Sequence, residues 1–164
     1  MEPKIKSISR LNMVLADLEA KQADPDAMSV LLDEQGKLAE VISGNLFVVR
    51  GGVIHTPGTR GILEGVTRAT TIELAKQNKL TVEEGELTPY DLYTADEAFV
   101  TTTSYVIMPV GKLNGSPVGK AVPGPVTKQL TRAWMDLAGM DFIAQMQTYG
   151  ARAKAAAPTP RTTR

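Results

Sequence analysis

Hydrophobic and polar positions change period several times along the 164 residues. In MEPKIKSISR, Lys4 and Lys6 flank Ile5. A strand here would place both lysines on one face and Ile5 on the other. Ser9 is placed to cap the helix that follows, in which Leu11, Val14, Leu15 and Leu18 recur at helical spacing and Asp17, Glu19 and Lys21 lie elsewhere on the wheel. Asp24-Pro25 ends it, and the pattern predicts an amphipathic helix covering a sheet. Residues 28–32 and 37–41 are strand candidates joined by the turn Asp33-Glu34-Gln35-Gly36. Residues 45–50 and 53–56 follow, separated by Gly51-Gly52, which supplies the positive φ angles of a tight hairpin. The expectation is a meandering sheet from residue 28 to about residue 56.

Pro57-Gly58 and Gly61 break that sheet. The next helix begins near Val66, turns Ile72, Leu74 and Ala75 toward a core, and stops around Asn78. A strand is expected at 81–87. Thr88-Pro89-Tyr90-Asp91 then combines a capping threonine, proline at the first helical position and an acid in the first turn, which predicts a short helix ending near Ala95. Residues 98–103 and 106–110 are apolar strands on either side of Ser104-Tyr105, and Asn114-Gly115 is a type I′ hairpin signal. Gly124-Pro125-Val126-Thr127 opens a long helix with Leu130, Trp134, Leu137, Met140 and Ile143 on one side. This order predicts a mixed α/β (α+β-like) fold, with a largely antiparallel sheet and flanking helices. The regular strand–helix alternation and GxGxxG of a doubly wound dinucleotide fold are missing. The domain is expected over residues 1–150, with ARAKAAAPTPRTTR, residues 151–164, as a mobile basic tail.

Charge narrows the function. Eighteen Lys and Arg balance eighteen Asp and Glu, so there is no broad attraction to nucleic acid or anionic membranes, although one local phosphate pocket remains allowed. Without cysteine, readings based on disulfides, thiolate–zinc, iron–sulfur clusters or a cysteine nucleophile fall away. The single histidine, His55, argues against a histidine-rich metal site and reads as a solvated or hydrogen-bonded strand residue. No apolar run approaches the roughly 20 residues that span a bilayer, and the first residues do not form a signal peptide. A soluble, cytoplasmic protein is expected.

The stretch 42–80 carries the strongest chemical signal. A hairpin and a glycine-broken loop lead into a helix opened by Gly65-Val66-Thr67. Free backbone N–H groups and a threonine hydroxyl at a helix start can hold an anion, often a phosphate. Read singly, Thr67 is equally an ordinary cap and Thr101-Thr102-Thr103 are strand formers. A lysine is ordinarily a solvated cation, but a desolvated one is a nucleophile that can hold an aldehyde cofactor. A pyridinium cofactor needs such an amine, an anion beside its ring nitrogen and donors for its phosphate. Lys6, Glu40 and the Val66/Thr67 helix start with the threonine run could fill those roles.

Several motifs occur in one order: Lys6-Ser7 with Leu11, Leu15, Glu19 and Ala20; Glu40 with Asn45-Leu46-Phe47; Thr56-Pro57; and Gly61-Ile62-Leu63-Glu64-Gly65-Val66-Thr67-Arg68. Ala95-Asp96-Glu97, Thr101-Thr102-Thr103 with Met108-Pro109-Val110, and Gly124-Pro125-Val126-Thr127 complete the set. Over about residues 3–136 this resembles the class IV (fold type IV) pyridoxal-phosphate aminotransferases, a family that includes branched-chain and D-amino-acid aminotransferases, (R)-selective amine transaminases and aminodeoxychorismate lyase. The resemblance implies the family's larger, cofactor-binding domain, with pyridoxal 5'-phosphate as cofactor. Residue by residue, Lys6 resembles the catalytic lysine that holds the cofactor's aldehyde and shuttles the substrate proton. Glu40 resembles the partner of the pyridine nitrogen. Val66, Thr67 and Thr103 resemble the phosphate donors, and Ser104 lies where the family presents backbone N–H groups to phosphate or substrate carboxylate. By the same resemblance Arg10 occupies the position where transaminases often carry an aromatic residue near the cofactor's phenolic oxygen. A basic residue there is similar to the lyases.

The implied function is amino transfer between an amino acid or amine and a 2-oxo acid. A lyase of the same fold and a catalytically inactive structural or interaction module are the alternatives. Homodimers or higher homo-oligomers are expected from the family. The family's leading domain, which supplies a phosphate-binding arginine and part of the substrate pocket, has no counterpart here. A fragment, a natural truncation and one chain of a pair whose partner supplies that domain all stay open, with impaired activity expected from an open, wet site. Val41 and Ser43 replace glycines common after the cofactor carboxylate, and Tyr105 replaces a small residue.

Overall fold

The computed structural model describes residues 3–156. Pro3–Ile5 form a single 3-10 turn, closed by the Lys6 N–H donating to the Pro3 carbonyl at 3.0 Å. The first segment is therefore not the expected strand. Proline's fixed φ favours the turn, and Lys6 leaves it in the left-handed region at φ 51°. Helix α1 (Leu11–Ala23) starts from Arg10 at φ 30° without a side-chain cap. Ser9 instead shares a hydrogen bond with Ser7 Oγ at 2.9 Å. No residue of α1 is fully buried, and Leu11, Leu15 and Leu18 are each more than half exposed. The stripe that predicted sheet cover is left open to solvent.

Strands β1 (Val30–Leu32) and β2 (Leu38–Val41) pair as a two-stranded sheet of their own. A turn in which Val41 and Gly44 exchange backbone hydrogen bonds redirects the chain, so the expected meander divides there. Beyond it, β3 (Asn45–Arg50) and β4 (Val53–Pro57) form the predicted hairpin, with Gly51 and Gly52 at φ 56° and 80°. Helix α2 (Val66–Gln77) crosses back to β5 (Val82–Gly85), which pairs parallel with β4. A parallel pair requires such a crossover, and a helix of this length supplies it. Short helix α3 (Pro89–Tyr93) leads to β6 (Glu97–Thr102) and β7 (Val106–Pro109). The resulting five-stranded sheet has the order β5-β4-β3-β6-β7 and is antiparallel except at β4–β5.

Both faces of the sheet centre are covered, which explains the unbroken apolar run Leu46-Phe47-Val48-Val49. Phe47 and Val49 join Phe99, Ile72, Ala75 and Leu130 on the helical side. Leu46 and Val48 join Leu38, Leu92, Val100 and Val118 on the other. The Phe47 and Phe99 rings stack with centroids 4.9 Å apart. A small hairpin of β8 (Lys112–Leu113) and β9 (Ser116–Pro117) turns at Asn114-Gly115 as predicted.

Helix α4 (Pro125–Ala138) ends at Gly139, which is left-handed at φ 65°, and α5 (Phe142–Ala156) begins anew. The single long helix predicted for this region is thus two. Leu130 and Trp134 pack on the core, whereas Leu137, in the last turn before the break, and Met140 and Ile143 beyond it are exposed. Residues 151–156 of the expected tail continue α5, and 157–164 lie outside the described residues. No described helix is long and apolar enough to cross a membrane.

Candidate active site

The turn after β2, the loop before α2, the end of β6 and the segment leading into α1 surround one cavity of about 170 Å³. Lys6, Arg10, Glu40, Val66, Thr67 and Thr103 all line it. Residues separated by nearly a hundred positions are therefore gathered in one place. Ser104 is not among the lining residues. It lies exposed after β6, and its backbone N–H donates to Thr102 Oγ1 at 3.0 Å. A larger groove of about 670 Å³ runs between α2 and α4 and contains none of these residues.

Glu40, the third residue of β2, is 4 % exposed. Its Oε2 accepts the Leu63 backbone N–H at 3.1 Å. Burial pushes this carboxyl above the usual carboxylate range, partly offset by the Leu63 N–H and the positive charge of Arg10. Arg10 itself donates from Nη1 to the Ile42 carbonyl at 3.5 Å. A buried acid that keeps its charge needs a cation facing it.

Another wall is the start of α2. Gly65 is the N-cap residue and supplies no side-chain acceptor, so the first N–H groups of this 12-residue helix face the cavity without a capping side chain. Gly65 also permits close packing, because a Cβ there would lie 2.3 Å from Asn45 Oδ1. Asn45 is buried and donates from Nδ2 to the Leu63 carbonyl at 2.9 Å, fixing the loop that presents both Leu63 and Gly65. Gly44 has a similar constraint, since a Cβ there would lie 2.4 Å from the Thr101 carbonyl oxygen. Behind α2, Arg68 is 4 % exposed and bonds the Pro57 carbonyl at 2.8 Å and Glu84 Oε2 at 2.7 Å, tying the helix to β4 and β5.

Lys6 and Arg10 reach the cavity from an exposed segment. Lys4 anchors that segment through a 2.6 Å ion pair with Glu64, and this cation holds the exposed Glu64 carboxyl below its ordinary range. One lining residue, Asn45, was not singled out by sequence reasoning as a site residue, and Thr101 was read only within the threonine run offered for the phosphate. The available signal was a polar residue opening the apolar run of β3 and a polar pair closing β6. Among the described residues, no group of three or more His, Cys, Asp or Glu converges as a metal site.

Residues 1–113 match the family described as Amino-transferase class IV. The chain is 36% identical over 127 residues to a branched-chain-amino-acid aminotransferase of Pseudomonas aeruginosa, covering 77% of this chain and 41% of that protein. It is 36% identical over 130 residues to a D-alanine aminotransferase of Bacillus licheniformis, covering 79% and 45%. Among solved structures, the branched-chain amino acid aminotransferase of Thermobaculum terrenum in its PLP form superposes with a TM-score of 0.80 at 36% identity, covering 87% of this chain and 47% of that one. The chain spans about half the length of the curated relatives it matches.

Proposed function

The chain belongs to the class IV aminotransferases, and on that premise we propose that it binds pyridoxal 5'-phosphate and takes part in transferring an amino group between an amino acid or amine and a 2-oxo acid. The observation that carries this reading is the convergence of an amine, a buried carboxylate and an open helix start on one cavity. The residues fit the group. Gly65 leaves the α2 donors uncapped, and the buried Thr101 Oγ1 has no partner among the described residues. Glu40 is desolvated without a full complement of charge, so it suits a protonated ring nitrogen.

Bound there, pyridoxal phosphate supplies an electron sink that stabilises negative charge developing at the substrate Cα. Lys6 Nζ is the proposed covalent tether to the aldehyde and, once released, the base that takes and returns the Cα proton. Glu40 holds a proton on the ring nitrogen. The N–H groups of Val66 and Thr67, with the hydroxyls of Thr67 and Thr103, hold the phosphate dianion at the positive end of α2. Ser104 is proposed to present its backbone N–H to the phosphate or the substrate carboxylate in a complete site, exchanging its bond to Thr102 Oγ1 for that one. Arg10, beside Glu40, favours a second reading as a lyase of the same fold. The setting proposed is a cytoplasmic homo-oligomer, with the remaining part of the substrate pocket coming from outside these 164 residues.

Adding pyridoxal phosphate to the purified chain should give a Schiff-base absorption band that Lys6→Ala abolishes. A band that survives K6A unchanged, or no band in the wild type, overturns the site. Amino transfer to pyruvate or 2-oxoglutarate, compared with pyruvate release from aminodeoxychorismate, separates transaminase from lyase.

A further inference from the structure

Thr101 is 1 % exposed and lines the cavity, yet its Oγ1 has no hydrogen-bond partner among the described residues. An orphaned buried hydroxyl is costly, and a fold keeps one where something else completes it. Its position points to what that is. Thr101 on β6 is the Cα partner of Asn45 on β3, so both side chains emerge on the same face of the sheet. That is the face of Phe47 and Phe99, which packs against α2. Asn45 in turn lies against Gly65, close enough that no Cβ fits between them. The pair therefore forms the floor beneath the start of α2. Of the neighbouring hydroxyls, Thr102, next along β6, points to the other face and accepts the Ser104 N–H, and Thr103 sits exposed at the rim.

We propose that Thr101 Oγ1 donates a hydrogen bond to the phosphate group held at the start of α2, making it a buried phosphate-binding residue in addition to the helix donors and the rim threonine. The proposal rests on the reading of this cavity as a phosphate-cofactor site. Its chemistry is that of a phosphate oxygen accepting from a dry hydroxyl, whether the phosphate is carried by the cofactor or is free in solution. The bond is charge-assisted and shielded from water, so it favours bound phosphate far more than a surface hydroxyl would. The same hydroxyl destabilises the ligand-free chain, because nothing among the described residues offsets its desolvation.

Thr101→Val, nearly the same shape, tests both halves. Titration of the 164-residue chain with pyridoxal phosphate, followed by its absorption band, should show affinity weakened about tenfold or more by T101V and within about twofold of wild type in Thr101→Ser. Pyridoxal, which lacks the phosphate, should bind wild type and T101V alike, and inorganic phosphate should itself bind T101V more weakly than wild type. Without ligand, T101V should melt at or above the wild-type temperature. Equal pyridoxal phosphate affinity in wild type and T101V overturns the proposal, as does an equal loss for pyridoxal. A lowered melting temperature for ligand-free T101V also overturns it, since the hydroxyl would then have a partner inside the fold. If wild type gives no band, the cofactor reading fails by itself. The phosphorus resonance of inorganic phosphate then decides the hydroxyl's role: a shift on binding wild type that is lost in T101V sustains it, and no difference between the two rejects it.

Discussion

Glu40 sits where folding alone would not favour a charge. Its folded pKa is raised above the ordinary value of 4.5, chiefly by burial. Such a carboxyl binds its proton more tightly in the folded chain than in the unfolded one. Its contribution is therefore most favourable below pH 4.5 and is lost as pH rises through the raised value. Glu40→Gln retains an oxygen for the Leu63 N–H while removing the charge. In the ligand-free chain at pH 7 it should stabilise, raising the melting temperature. That advantage should shrink as pH falls toward 4.5. Pyridoxal phosphate should invert the ranking, because a protonated ring nitrogen gives the charge its partner. Thermal melts at several pH values, with and without the cofactor, read both signs, and a ligand-free E40Q that melts lower at pH 7 contradicts the argument.

At the level of elements, two helix starts show what a sequence displays and what it conceals. The Thr88–Asp91 box was legible because its partners are three residues apart. The Thr88 N–H and hydroxyl both donate to Asp91 Oδ2 at 2.7 Å, and these bonds with Arg50 hold the Asp91 carboxyl at about 2. Helix α4 is capped from another element. Glu97 on β6 accepts the N–H groups of Val126 and Thr127 at 2.9 Å and the Thr127 hydroxyl at 2.8 Å, across 29 and 30 residues of chain. Gly124 is required for that approach, since a Cβ there would lie 2.1 Å from Glu97 Cδ. Glu97 read as part of a motif, but sequence separation hid the reason. Glu97→Ala should cost about 3 kcal/mol by leaving buried donors unpaired, about 6–12 °C in melting temperature, and Glu97→Gln should cost less. Equal stability of E97A and wild type would show that water replaces the cap. The same contrast explains the other outcomes. Hairpin glycines and strand periods act locally and were readable, whereas the break at Gly139 divides an apolar stripe that looks continuous.

Across the whole molecule, the cavity joins two unequal parts. Glu40, Asn45, Thr101 and the start of α2 belong to the sheet and its covering helices, so their geometry is fixed by the same core that holds the fold together. Lys6 and Arg10 stand on a segment with two non-glycine residues at positive φ, followed by a helix with no fully buried residue. The exposed Lys4–Glu64 pair and the 3.5 Å bond from Arg10 to Ile42 are weak anchors at a wet surface. That imbalance explains why the α1 stripe misled. Leu11, Leu15 and Leu18 have the spacing of a core-facing helix, but spacing marks an apolar face without saying what, if anything, packs on it. It also predicts how ligand binding spreads. A bond from Lys6 to the cofactor, held at its phosphate end by the rigid wall, would tie the loosely attached segment to the core. Amide exchange in residues 6–23 should therefore slow on adding pyridoxal phosphate, by about tenfold for about 1.4 kcal/mol of added protection, while β3 and β6 change little. In K6A the phosphate wall remains but the tether is lost, so residues 6–23 should exchange at the ligand-free rate. Equal protection of that segment in K6A would mean that contacts other than the lysine bond draw it onto the sheet.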